Sequence, residues 1–335
     1  MDIFIAGFGT VGQGVAEVMK ERAAWFERRF DECVRIVGAL DSSSLEFSSN
    51  GLDPEILIRR KKMTGKVGTI ELKDESCHIL RQFDYDVLVE VTPMNISTGE
   101  PGYSNILTAM ESGKDVITSN KGPLALKFSE LIRIAKRNGV QLRFEATVGG
   151  ATPVINLSRE LLMGERISSI RGILNGTCNF ILHRMREEGL PFAQALKEAQ
   201  EIGIAERDPT YDIEGVDSAC KAAILANAIF DLNKTYKDVK RVGISGITED
   251  AIALAAEEKK VIRLIAEISS KRLEVSPRLV PVGHPLSIGG TLNIIQLSTD
   301  LAGEITVVGR GAGKFETASA ILSDLVALLK DKSTR

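Results

Sequence analysis

The stretch Glu206-Arg207-Asp208-Pro209-Thr210-Tyr211-Asp212-Ile213-Glu214-Gly215-Val216-Asp217-Ser218-Ala219-Cys220-Lys221 sets five carboxylates ahead of one lysine. That lysine opens an apolar run, Ala222-Ala223-Ile224-Leu225-Ala226. Asp217 and Lys221 stand i, i+4 and so share one helix face. A solvated surface ion pair would use the same spacing. The apolar run favours instead a partly desolvated ammonium, which carboxylates can tune for general acid or base work. A carboxylate such as Glu206 can also bind the ammonium group of an amino-acid substrate.

A second constellation lies at the chain start: Gly7-Phe8-Gly9-Thr10-Val11-Gly12, between a strand pattern and a helix pattern. Alone, GxGxxG is weak, but this strand–turn–helix setting is the one a dinucleotide needs. Gly7 permits the turn, Gly9 lets main chain approach a pyrophosphate, and Gly12 allows close helix–strand packing. The helix N-terminus then offers N–H donors and positive dipole to the phosphates. The next strand ends at Asp41, 29 residues after Gly12 and beyond the usual spacing of ~20. An acidic group there favours the free ribose hydroxyl of NAD. The run Arg59-Arg60-Lys61-Lys62 could instead fold back on a 2′-phosphate, so the choice between NAD and NADP stays open. Two more strand ends, Val91-Thr92-Pro93-Met94-Asn95 and Thr118-Ser119-Asn120-Lys121, bring polar groups to the edge where an open α/β sheet binds its ligand.

The elements that must carry these groups follow from apolar periodicity. Strands are expected at Ile3–Ala6, Val34–Leu40, Val87–Val91, Asp115–Thr118 and Gln141–Glu145. Helices are expected from Gly12 to about Arg29, over Tyr103–Ser112 and over Leu124–Asn138. This alternation predicts a parallel, doubly wound α/β sheet. Asp41–Gly68 reads as a polar, irregular surface excursion. Beyond Pro153 the texture changes, with helices at Pro153–Gly164, Asn179–Glu188, Phe192–Ile202 and about Val216–Phe230, and strands at Ile167–Leu174, Leu273–Leu279 and Thr291–Leu297. An amphipathic helix, Lys314–Leu329, follows the glycine-rich Gly309-Arg310-Gly311-Ala312-Gly313. The chain is expected as two domains, a Rossmann-type one over 1–146 and an α+β one over 147–309.

A length of 335 residues suits two cores, and 44% hydrophobic with 26% charged residues is a globular balance. The net charge of −3 gives no reason to expect nucleic acid or an anionic membrane as partner. No apolar run approaches the ~20 residues of a membrane span. Cys33, Cys77, Cys178 and Cys220 lie far apart, which fits reduced thiols in a cytoplasmic protein better than a metal or disulfide framework.

Taken together, these segments resemble homoserine dehydrogenase over nearly the whole chain. The resemblance is carried by GFGTVG, VTP and TGEP within 91–101, TSNKGPLA at 118–125, FEATVGGATP at 144–153, GILNGTCNFI at 172–181, the stretch Gly203 to Lys221, and GRGAG at 309–313. It implies reversible, NAD(P)-dependent interconversion of L-aspartate 4-semialdehyde and L-homoserine, without a kinase or C-terminal regulatory domain and so without threonine feedback through one. It further implies Lys221 as proton donor to the aldehyde oxygen, oriented by Asp217. Glu206 and Asp212 would hold the polar end of the substrate, with Thr177 at the cleft. Lys121 would sit between nicotinamide and substrate and contact the cofactor together with Thr92, Gly176 and Gly311. A monovalent cation, sodium, would be held by the Glu145 side chain and the carbonyls of Val148, Gly150 and Thr152. Thr152 departs from the Ile or Leu usual there, which carbonyl donation tolerates. A homodimer through the region of about 260–309 is implied as well, which makes 147–309 a catalytic and dimerisation domain, with 310–335 returning to the nucleotide domain.

Rival readings remain weaker on the residues. A Cys178 nucleophile needs an adjacent base, and only His183, five residues on, is near it in sequence. An oxidative deaminase would need its own substrate-loop pattern. A non-catalytic dinucleotide sensor would have no use for a proton donor.

Overall fold

A computed structural model describes residues 1–333. In chain order its first elements are β1 (Asp2–Ala6), α1 (Thr10–Phe30), β2 (Arg35–Leu40), β3 (Ser44–Phe47), α2 (Pro54–Thr64), β4 (Ile70–Glu71), α3 (Ser76–Leu80), β5 (Val87–Glu90), α4 (Gly102–Glu111), β6 (Asp115–Thr118), α5 (Lys121–Asn138) and β7 (Leu142–Arg143). There follow α6 (Val154–Asn156), β8 (Ile167–Ile173), α7 (Gly176–Glu188), α8 (Phe192–Glu201), α9 (Thr210–Ile213), α10 (Val216–Phe230), β9 (Lys240–Arg241), α11 (Glu249–Glu257), β10 (Lys260–Ile268), β11 (Leu273–Pro281), β12 (Leu292–Thr299), β13 (Glu304–Arg310) and α12 (Lys314–Ser333). They form two compact units, Met1–Gly150 with the returning α12, and Ala151–Ala312.

The first unit carries a seven-stranded sheet in the order β4-β3-β2-β1-β5-β6-β7. From β2 to β7 every pairing is parallel, and β3 and β4 extend the edge antiparallel. The apolar runs Ile3–Ala6 and Val87–Val89 are buried on both faces, as a parallel strand covered by helices must be. One face rests on α1 and α12, where Val15, Ala16 and Met19 meet Ala318, Ile321 and Leu325 in one apolar cluster. Asp41–Gly68 departs from the irregular excursion expected of it. Its short apolar set, Leu45, Leu57 and Val67, is buried at 3%, 1% and 0% exposure, enough to pin β3 and α2 to the sheet. The Asp53 carboxylate caps α2 by accepting from Glu55 N–H, with Pro54 at the first helical position.

The second unit carries a six-stranded sheet, β13-β12-β8-β10-β11-β9, antiparallel except for β11 with β9. Sequence periodicity missed β10, a central strand buried on both faces that reads as one apolar run with Arg263 inside it. It also missed α11 and β13. The carboxylate-rich loop Glu206–Glu214 contains a single helical turn, α9. The helix after it, α10, is buried continuously from Val216 to Asn227, Lys221 included. No described helix is long and apolar enough to cross a membrane.

Candidate functional site

In the first sheet β2 lies on one side of β1 and β5 on the other. Such a switch point is where an open α/β sheet binds its ligand, outside the carboxyl ends of the strands. The chain leaves β1 through Gly7, whose N–H donates to Leu40 O at 2.9 Å, while Val91 N–H donates to Ala6 O at 2.8 Å. Gly7 adopts φ +98°, and Gly12 packs so closely that a Cβ there would lie 2.1 Å from Gly7 O. Gly9 is different: a Cβ on it would meet nothing within 4 Å, so the fold alone does not require glycine there. A ligand lying on the loop would. Helix α1 begins at Thr10 with Gly9 as its N-cap and no side-chain cap. The first-turn N–H groups of Thr10, Val11 and Gly12 and the helix dipole are therefore available to an anion. Phe8 is buried beneath the loop.

Beside this loop, the ends of β5 and β6 are tied together. Thr92 N–H donates to Glu90 Oε1 at 3.1 Å, and the Thr92 hydroxyl donates to the same oxygen. The Thr118 hydroxyl reaches Glu90 Oε2 at 3.1 Å. Asn120 caps α5 by accepting from Gly122 N–H at 3.1 Å, which fixes Lys121 as the first residue of that helix. Glu90 is fully buried, and burial pushes its carboxyl up to about 7 against the hydrogen bonds of Thr92, Thr118 and Asn120.

Asp41 sits at the end of β2 as expected, but its oxygens face the chain around it. Oδ1 accepts from the N–H and hydroxyl groups of Ser43 and Ser44. Oδ2 accepts from Lys61 Nζ and Val67 N–H, both at 2.7 Å. Burial alone would raise this carboxyl; the Lys61 ammonium and the N–H donors outweigh it and hold it at about 2. The basic run divides: Lys61 turns onto Asp41, Arg60 onto Glu46, and Arg59 and Lys62 stay exposed.

In the second unit Lys221 Nζ donates to Asp217 Oδ2 and to Leu174 O, each at 2.7 Å, with the lysine 7% exposed. Asp217 Oδ2 also accepts from Asn175 Nδ2 at 3.0 Å, and the same amide reaches Asp212 Oδ1 at 2.6 Å. A lysine buried this deeply is tolerable only because a carboxylate and a carbonyl receive its protons. Two of its three N–H groups are so taken, and the third can donate to a further oxygen.

Sequence reasoning missed Asn175, which joins Asp212 to Asp217 and caps α7 through Cys178 N–H at 2.8 Å. The signal was present, since an Asn between a strand and a helix is a preferred N-cap. Asn293 was missed as well: its amide donates to Leu174 O at 3.2 Å, the carbonyl that also receives Lys221. Gly311 presses against that Asn293 side chain, and Gly176 against Thr291 O, closely enough that a Cβ would clash at either. The Thr177 hydroxyl donates to Ile204 O at 3.1 Å, and Glu206 lies exposed in the loop before α9. Cys178 is buried and donates to Asp212 O; burial, then the charges of Asp212 and Asp217, push its thiol well above the ordinary range, which disfavours a thiolate nucleophile.

Within residues 145–152, Glu145, Val148 and Thr152 are buried, and Gly149 and Gly150 adopt φ +84° and +55°. The Thr152 hydroxyl is buried without a hydrogen-bond partner.

Two family models match the chain, one described as homoserine dehydrogenase, NAD binding domain, over residues 7–145, and one as homoserine dehydrogenase over 153–326. A homoserine dehydrogenase of Methanocaldococcus jannaschii is 51% identical over 329 residues, covering 97% of this chain and 98% of that one. An NAD(+)-dependent homoserine dehydrogenase of Pseudomonas canavaninivorans is 38% identical, with 96% and 94% covered. Among solved structures, a putative homoserine dehydrogenase of Archaeoglobus fulgidus superposes with TM-score 0.92 at 48% identity, covering 98% and 99%. A hyperthermophilic archaeal homoserine dehydrogenase in complex with NADPH gives 0.85 at 30% identity, covering 98% of each chain.

Proposed function

The chain belongs to the homoserine dehydrogenase family, and on that premise we propose how its residues divide the NAD(P)-dependent interconversion of L-homoserine and L-aspartate 4-semialdehyde. The observation that carries the assignment of roles is the buried Lys221, paired with Asp217 and keeping one N–H for a ligand. In the reducing direction Lys221 donates its proton to the aldehyde oxygen as charge develops there. Asp217 holds the ammonium in place and stabilises it between turnovers. Asp212, bridged to Asp217 through Asn175, and the exposed Glu206 bind the ammonium end of the substrate, and Thr177 lies beside them at the start of α7. In the first unit Gly7–Gly12 bind the pyrophosphate with main-chain N–H groups, and Thr92 and Lys121 receive the nicotinamide end. Gly176 and Gly311 offer main chain to the cofactor, and Asp41 with Lys61 borders the ribose. The bound dinucleotide supplies the hydride; the protein supplies orientation and the proton.

The same reading gives a hard monovalent cation such as sodium an all-oxygen set, the Glu145 carboxylate and the carbonyls of Val148, Gly150 and Thr152. Its support is the pair of positive-φ glycines, which turn the main chain there, and the buried, unpartnered Thr152 hydroxyl. Replacing Na⁺ by N-methylglucamine should lower activity or melting temperature. A homodimer through the region of about 260–309 belongs to the same reading, and Leu279 and Val282 there are exposed at 52% and 53%. Light scattering on the eluting protein reads the mass.

The substrate assignment is tested by initial rates of NAD(P)⁺ reduction with L-homoserine, L-glutamate and L-aspartate. Reduction with L-homoserine alone is expected. A rate with L-glutamate that matched or exceeded it would replace this reading with an oxidative deaminase.

A further inference from the structure

The segments that carry Thr92 and Lys121 are joined by one buried carboxylate, that of Glu90. Glu90 is the last residue of β5 and is 0% exposed. Its Oε1 accepts from Thr92 N–H and the Thr92 hydroxyl, on the segment after β5. Its Oε2 accepts from the Thr118 hydroxyl at the end of β6, and the Asn120 side chain adds another hydrogen bond. Asn120 Nδ2 lies 3.3 Å from both Thr92 O and Thr92 Oγ1, while Asn120 Oδ1 caps α5 immediately ahead of Lys121. One carboxylate thus spans both strand-end segments.

The arrangement costs more than folding requires. Strands β5 and β6 are already paired along their backbones from Val87–Asp115 to Glu90–Thr118. Burial of the carboxyl is opposed by the neutral donors of Thr92, Thr118 and Asn120. An acceptor-only carboxylate is nevertheless what these donors select. A glutamine amide placed either way would set an NH₂ group against Thr92 N–H or against the Asn120 amide. An apolar residue would leave several buried donors unmatched.

We propose that Glu90 is a positioning residue for the dinucleotide, its carboxylate holding Thr92 and the Asn120 cap ahead of Lys121 in one frame so that both segments meet the nicotinamide end already ordered. The proposal rests on the reading of Thr92 as a cofactor contact. Preorganised contacts save the ordering cost at binding, so loss of the frame appears in cofactor affinity.

The test compares wild type, Glu90→Gln and Thr92→Ala by NAD(P)H fluorescence titration, homoserine KM at saturating cofactor, and melting temperature. For Glu90→Gln the cofactor Kd is expected to rise ~10-fold, with the homoserine KM within ~2-fold of wild type. A lowered melting temperature with unchanged cofactor affinity would make Glu90 merely structural and overturn the proposal. If Thr92→Ala weakens the cofactor and Glu90→Gln does not, the proposal fails and the reading of Thr92 stands. If neither changes affinity, the reading of Thr92 fails and takes the proposal with it. Should Glu90→Gln not fold, Thr118→Val removes the hydroxyl that reaches Oε2 and that also accepts from Asn120 N–H. A rise of ~3-fold in cofactor Kd is then expected, and an unchanged Kd overturns the proposal.

Discussion

The first unit offers a ligand main-chain N–H groups on a loop whose N-cap, Gly9, has empty space where a side chain would stand. The second offers charged side chains, Lys221, Asp217 and Asp212, held at one end of a helix buried from Val216 to Asn227. Recognition by main chain depends on atoms that are absent, so it breaks when atoms are added. Recognition by buried charge depends on matched partners, so it breaks when one is removed. Substitutions that add a methyl in the first unit and remove a charge in the second put that contrast to the test.

The largest effect is expected at Gly12. With a Cβ only 2.1 Å from Gly7 O, Gly12→Ala should lose the folded first unit, read as lost soluble protein or a collapsed melting transition. Gly9→Ala should melt like wild type while cofactor Kd rises by ~10-fold or more. A normally folded Gly12→Ala would erase the distinction between the two glycines. In the second unit, Asp217→Asn keeps shape and removes the charge beside Lys221. Turnover should fall by about two orders of magnitude with cofactor Kd unchanged.

Titration sharpens the contrast within the first unit. Glu90 has a folded-state carboxyl raised to about 7, so its contribution to stability is present at acid pH and lost as pH rises through about 7. Glu90→Gln should therefore lack the loss of stability that wild type shows in denaturant melts between about pH 5 and about pH 8. Asp41 runs the other way: held at about 2, it stabilises above the ordinary carboxylate range, and that stability is lost as pH falls toward 2. Asp41→Asn should thus cost stability at neutral pH and little at about pH 2. The smallest effect is expected at Lys61. Removing the cation paired with Asp41 strengthens the repulsion of a 2′-phosphate, so Lys61→Ala should shift the ratio of NADP to NAD Michaelis constants a few-fold toward NAD.

What could be read in the sequence follows the same divide. Gly7, Gly9 and Gly12 were legible because glycine spacing records a backbone constraint directly. Lys221 and Asp217 were legible because a charge inside an apolar helix is conspicuous. Asn175, Asn120 and Glu90 were not singled out, since polar residues at strand ends look like ordinary loop chemistry until the fold closes their hydrogen bonds. The β3–α2 insert was hidden by its composition: Leu45, Leu57 and Val67 suffice to bury it, but they are too sparse to give a period. Strand β10 was hidden for the opposite reason, being apolar on both faces and so without alternation.

Lys221 is the group on which the proposed proton transfer turns most directly. Wild type and Lys221→Ala should be compared for turnover with L-aspartate 4-semialdehyde, with cofactor Kd measured on the same samples. The account predicts a fall of roughly three orders of magnitude in kcat with cofactor Kd within ~2-fold. Turnover of Lys221→Ala within ~10-fold of wild type would remove Lys221 as the proton donor.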